Sequence, residues 1–247
     1  MKAAIVDQLG AHYPNQEFLE TAESLMRQAG FGVDIYGAEK VTVNLYGSLS
    51  THGYKLIVFR VHAGVDEKRK NSPVGLFTVE PYSELAYPQE QLAELVEPAQ
   101  AFNRTETVFG VTPKFIRERT ILDYDGAVII LTGCFGLYSR ELPQAFIDRG
   151  ASVVIGWNGL IDVKRTDMAT SVLLRMMLAE KMSVGASVSA VMREVGADAE
   201  YASILSYYPQ DRGDLDLNEF LQTVRAKPEM RLRPQRGSVR CLARAQA

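Results

Sequence analysis

Two apolar runs constrain this chain more than any other feature: Tyr54 to Val61, reading Tyr-Lys-Leu-Ile-Val-Phe-Arg-Val, and Ala127 to Leu131, reading Ala-Val-Ile-Ile-Leu. Each is short, rich in β-branched residues and nearly free of polar alternation. That is the pattern of a strand covered on both faces. Such strands belong to a parallel sheet whose crossover helices supply the covering layers, so the expected class is α/β with a mostly parallel central sheet.

The rest of the chain alternates in the same way. Lys2 to Asp7 reads as a first strand, and Gln16 to Gln28 as a helix with Phe18, Leu19, Ala22, Leu25 and Met26 on one face, stopped by Gly30. Phe31 to Tyr36 predicts a second strand, Val41 to Leu49 a helix, and Gly75 to Glu80 one strand of a small peripheral hairpin. Helices are predicted over Gln89 to Phe102, from Leu92, Leu95, Val96 and Ala99, and over Pro113 to Glu118. A helix from Glu141 to Arg149, a strand from Ser152 to Gly156, and helices at Asp167 to Ala179 and Val184 to Val195 complete the pattern. Tyr207-Tyr208-Pro209 closes the compact region. The expected division is a domain over residues 1–212 and a basic tail over 213–247, partly disordered or adding an edge strand near Met230 to Arg233. From Arg225 to Ala247 there are seven Lys and Arg, with Glu229 as the only acid.

Composition removes several function classes. In 247 residues, 47% are hydrophobic and 23% charged, an ordinary globular balance. No window offers the ~18 to 20 apolar residues of a membrane span, and Asp7 interrupts the N-terminus before a secretory signal could form. A cytoplasmic protein without a membrane partner is expected. A net charge of −3 gives no global positive field, which disfavours nucleic acid as a partner and leaves the basic tail as its one candidate. Two cysteines, Cys134 and Cys241, and three histidines form neither a CxxC pair nor an HExxH, so no metal site and no cofactor are expected.

Ligands of open α/β sheets bind at the carboxyl ends of the strands. His62 follows the first apolar run and Cys134 the second. Each is trailed by a glycine, in His62-Ala63-Gly64 and Cys134-Phe135-Gly136, which lets backbone approach a substrate closely. A thiolate is a strong nucleophile, and an imidazole can take its proton and later protonate a leaving amine. Taken singly, the cysteine reads first as a small buried hydrophobe and the histidine as a hydrogen-bonded loop residue; it is the two together at equivalent strand ends that point to chemistry.

Three blocks in this order resemble the caspase-like cysteine peptidases, the group of caspases, metacaspases, gingipains, separases and CHAT domains. They are Leu56 to Gly64, ending in His plus small residues; Val128 to Gly136, ending in Gly133-Cys134; and Leu142 to Trp157, in which Ala145-Phe146 and Gly150-Ala151 precede a strand ending Gly156-Trp157. The last block is similar to gingipain-like and CHAT-like members, and the likeness spans Lys2 to Pro209. It implies a caspase-like, flavodoxin-like three-layer sandwich, with Cys134 as nucleophile and His62 as general base or acid. It also implies an oxyanion hole of backbone N–H groups at Cys134 and just after His62, which requires small residues at Ala63, Gly64 and Gly133. The chain departs from caspases in having Gly133 where Q-A-C-x-G places Ala, and it lacks the D-x-C of metacaspases.

The same resemblance points to the loop after Trp157 as the lining of the primary pocket. Trp157 is a candidate wall, and Asp162 and Asp167 are candidate carboxylates favouring Arg or Lys before the scissile bond. The alternatives stay open: core packing for Trp157, and capping of the next helix by Thr166 or Asp167. Lys164 and Arg165 in that loop would instead favour an acidic residue. His12, after the first strand, is a candidate cleft residue, whereas His52 reads as an exposed turn residue. Asp7 and Glu80 are the nearest candidates to orient His62, and Lys68-Arg69-Lys70 reads as an exposed loop or a processing site. The expected function is a cysteine endopeptidase acting on polypeptide, with a catalytically silent caspase-like sensor or interaction module as the alternative. A flavodoxin-like nucleotide site is disfavoured, because no G-x-G-x-x-G or G-K-[ST] loop is present.

Overall fold

The structure is a computed structural model that describes residues 1–65, 72–102 and 104–217. The charged segment from Asp66 to Asn71, including Lys68-Arg69-Lys70, lies outside the described residues, as do Met230 to Arg233 and Cys241.

The strands are β1 (Lys2–Asp7), β2 (Gly32–Tyr36), β3 (Tyr54–Arg60), β4 (Ala63–Gly64), β5 (Gly75–Pro81), β6 (Val96–Gln100), β7 (Thr107–Val111), β8 (Val128–Leu131), β9 (Val153–Trp157) and β10 (Leu205–Tyr208). The helices are α1 (Gln16–Gln28), α2 (Val43–Ser48), α3 (Pro88–Leu92), α4 (Pro113–Arg119), α5 (Glu141–Asp148), α6 (Val163–Leu174, continued by a π-turn to Ala179) and α7 (Val184–Glu194). Local chemistry sets their starts. Asn15 accepts from the Phe18 N–H, Thr42 from Leu45, Thr112 from Phe115, Asp162 from Arg165 and Ser183 from Ala186.

The central sheet has six strands in the order β10-β9-β8-β3-β1-β2, all parallel except β10, which runs antiparallel to β9. Strand residues alternate between two cores, as period-2 geometry requires. Ala3, Ile5, Leu56, Val58, Val128 and Ile130 face α1, α6 and α7. Ala4, Val6, Ile57, Phe59, Ile129 and Leu131 face α2, α4, α5 and the second sheet. Both faces being covered explains why the apolar runs lack polar alternation.

Four expectations change. Gln89 to Phe102 is not one helix: α3 ends at Leu92, Glu94 adopts a left-handed φ of 55°, and β6 follows with Leu95 and Val96 buried. Pro98 carried the reason, since a proline inside a helix removes a hydrogen bond and clashes with the preceding turn. β6 pairs with β7, which has no counterpart among the sequence expectations, in an antiparallel sheet β4-β5-β7-β6, so the expected hairpin is a four-stranded unit. Tyr207 and Tyr208 belong to edge strand β10. The packed chain also runs past residue 212: the carbonyls of Gly213 and Leu215 accept from Gly185 and Val184, and Leu217 is fully buried.

Candidate functional site

β3 and β8 are neighbours, with Phe59 registered against Leu131. His62 and Cys134 each stand three residues beyond that pair, so the sheet delivers both to one end of adjacent strands. The Thr132 N–H donates to the Phe59 carbonyl at 3.0 Å, and a Cβ on Gly133 would collide with the Val61 carbonyl oxygen. The two loops touch here, and only a glycine fits. Phe135 then turns the chain through a left-handed φ of 59°, held by its N–H donating to Gly159 at 2.8 Å.

The backbone of His62 is fixed at both polar groups. Its N–H donates to Gln8 Oε1 at 2.9 Å and its carbonyl accepts from the Phe77 N–H at 2.9 Å. That second bond makes Ala63 and Leu76 the non-hydrogen-bonded pair of the β4–β5 ladder, which turns the Ala63 N–H away from β5. The nitrogen of Ala63 lies 3.6 Å from the Cβ position of Gly133, the residue before Cys134. The His62 ring lies 5.9 Å from Tyr13, 6.1 Å from Phe77 and 6.4 Å from His12, centroid to centroid. Its Nε2 and the Nδ1 of His12 are both buried without a hydrogen-bond partner among the described residues. Burial, with the positive charges of His12, Arg104 and Arg60 nearby, pushes the His62 imidazole down to about 4.

Cys134 is half-buried and its thiol donates to the Ile161 carbonyl at 3.8 Å. Burial pushes the thiol up, and Asp198 adds to the shift. At neutral pH the resting pair is a neutral thiol and a neutral imidazole, and among the described residues the two do not hydrogen-bond.

The expected pocket residues sit elsewhere. Trp157 is fully buried and donates from Nε1 to Thr166 Oγ1 at 3.0 Å, so it packs in the core and not on a pocket wall. Asp162 is the N-cap of α6. Asp167 neither caps nor faces solvent: Arg60 donates to both of its oxygens, at 2.7 and 2.8 Å, and Asn15 adds a bond at 2.8 Å. Buried on both sides of this pair, the carboxylate has no free oxygen for a substrate. His12 does reach the His62 ring, whereas His52 stacks on Tyr54, away from the site. Neither Asp7 nor Glu80 orients His62. Asp7 pairs with Arg60 at 2.7 Å, and Glu80 accepts from the Val43 N–H and the Tyr87 hydroxyl.

The largest omission from the sequence reading is Arg60. It is fully buried, and its guanidinium also donates to the Tyr13 carbonyl at 2.8 Å, tying β1, β3, α6 and the loop of His12 together. The signal was present, since a charged residue inside an apolar strand needs a buried partner. No family model matches the chain, and no curated protein gives a match. No helix among the described residues is long and apolar enough to cross a membrane, and none of their side chains form a group of three or more metal-type ligands.

Proposed function

We propose that the protein is a caspase-like cysteine peptidase in which Cys134 is the nucleophile and His62 the proton carrier. The observation that carries this reading is the register of β3 on β8, which brings His62 and Cys134 to the same end of two adjacent strands. In the proposed reaction the Cys134 sulfur attacks the peptide carbonyl carbon while its proton passes to the neutral His62 imidazole. The negative oxygen that forms is met by backbone N–H groups, with the outward-turned Ala63 N–H as the one the ladder leaves unused. Collapse breaks the C–N bond, the imidazolium returns its proton to the leaving amine, and a thioester remains. Water, with His62 again as base, then hydrolyses the thioester and frees the thiol.

Incubation of the protein and a Cys134→Ala variant with a peptide panel covering basic, acidic and apolar residues before the scissile bond tests the reading. Cleavage that disappears in the variant supports it. A catalytically silent module is favoured by one observation, the thiol bonded to Ile161 and not to the imidazole. Absence of cleavage across the panel, together with an unreactive thiol, would establish that alternative.

A further inference from the structure

The network beneath the site carries unequal charge. Two buried carboxylates, Asp7 and Asp167, face one guanidinium, Arg60. Both oxygens of Asp167 are occupied, by Arg60 and Asn15. On Asp7 the contacts converge on one oxygen: Oδ1 accepts from Arg60 Nη1 at 2.7 Å and from the Gly10 N–H at 3.0 Å, while Oδ2 accepts nothing among the described residues. Two carboxylates on one guanidinium leave the network one negative charge in excess, and the open Oδ2 is where a second cation can meet it.

Asp7 lines a cleft of about 580 Å³ at the carboxyl ends of β1 and β2. The opening over Oδ2 exists because residue 10 is glycine: a Cβ there would come within 2.5 Å of that oxygen. Glu39, exposed and without an ion-pair partner among the described residues, also lines the cleft, while Pro14, Leu19 and Val79 supply apolar wall. One carboxylate oxygen open to the cleft on an otherwise buried side chain, one exposed carboxylate and a short apolar wall match a positive head on an alkyl stem.

We propose that this cleft is a binding site for an organic cation, a guanidinium or ammonium group on an alkyl chain, with its head between Asp7 and Glu39 and its stem against Leu19. The site is separate from Cys134 and stands whether or not the peptidase reading holds. The cation is either a basic side chain of a polypeptide or a free alkylamine.

Titration calorimetry on the full chain carrying Cys134→Ala, which prevents turnover, separates these. The probes are a blocked pentapeptide with a central arginine, its citrulline counterpart of the same shape and no charge, and N-butylguanidinium. The arginine peptide is expected to bind at least about tenfold more tightly than the citrulline peptide. Glu39→Gln should weaken that binding several-fold, and Gly10→Ala, which covers Oδ2, should abolish it. Binding of N-butylguanidinium as tight as that of the peptide assigns the site to a free amine, and a clear peptide advantage assigns it to a polypeptide. Equal binding of arginine and citrulline peptides, no binding of any cation, or parent-like affinity in both variants overturns the proposal.

Discussion

Arg60 and Asp167 lie 107 residues apart and meet as a bidentate ion pair, Nε to Oδ1 at 2.7 Å and Nη2 to Oδ2 at 2.8 Å. The pair fastens α6 to the end of β3, two residues before His62. It also removes from the site the carboxylate that the loop after Trp157 seemed to offer. A basic preference in the proposed peptidase would therefore have to come from other groups.

Replacing Arg60 with Met keeps most of its volume and leaves two buried carboxylates facing each other. Removal of one partner of a buried ion pair costs roughly 3–5 kcal/mol, and a urea denaturation midpoint far below that of the parent is the expected result. A shift near zero would mean that the network contributes nothing to holding β1, β3 and α6 together.

At Gly133 the loops after β3 and β8 touch through backbone alone. Gly133→Ala forces the Val61 carbonyl aside, at a cost of roughly 1–3 kcal/mol for an overpacked contact. Because the same shift moves Cys134 relative to Ala63, cleavage should fall further than stability does. Equal losses, measured by thermal unfolding and peptide turnover on the same preparation, would show that the contact is only structural.

The His62 imidazole is held at about 4, against 6.5 for the free group. The unfolded chain thus takes up its proton first as pH falls. The stability tied to neutral His62 is intact above about 6.5 and is lost between there and about 4, a change on the order of 3 kcal/mol. Acid unfolding of His62→Gln should show a shallower slope in that window, and an imidazole titrating near 6.5 by NMR would contradict it.

Cys134 has its thiol raised by burial and by Asp198. Iodoacetamide labelling at pH 7 should be slower than for a free cysteine, whose value is about 8.5, and should accelerate only in alkaline solution. Asp198→Asn keeps an oxygen to accept from Glu200 and Tyr201 while removing the charge, so the labelling curve should move to lower pH. A curve that does not move would place the cause in burial alone.

The amino-acid order by itself determined the α/β class and most of the elements, because apolar periodicity and helix caps act over a few residues. β1, α1, β3, β8 and β9 follow directly from runs and caps such as Asn15 before Phe18. The same local logic put His62 and Cys134 at strand ends. Only the tertiary structure decided what those strand ends face. That Gly133 must be glycine depends on Val61, that Asp167 is closed to substrate depends on Arg60, and that Trp157 is core depends on Thr166. Contacts between residues distant in the chain are set by which strands become neighbours, and no window of sequence short enough to show periodicity contains both partners. The β6–β7 pair was lost for the same reason. A stripe of Leu95, Val96 and Ala99 suits a helix until β7 is there to pair with it, and the proline at 98 gave the one local warning.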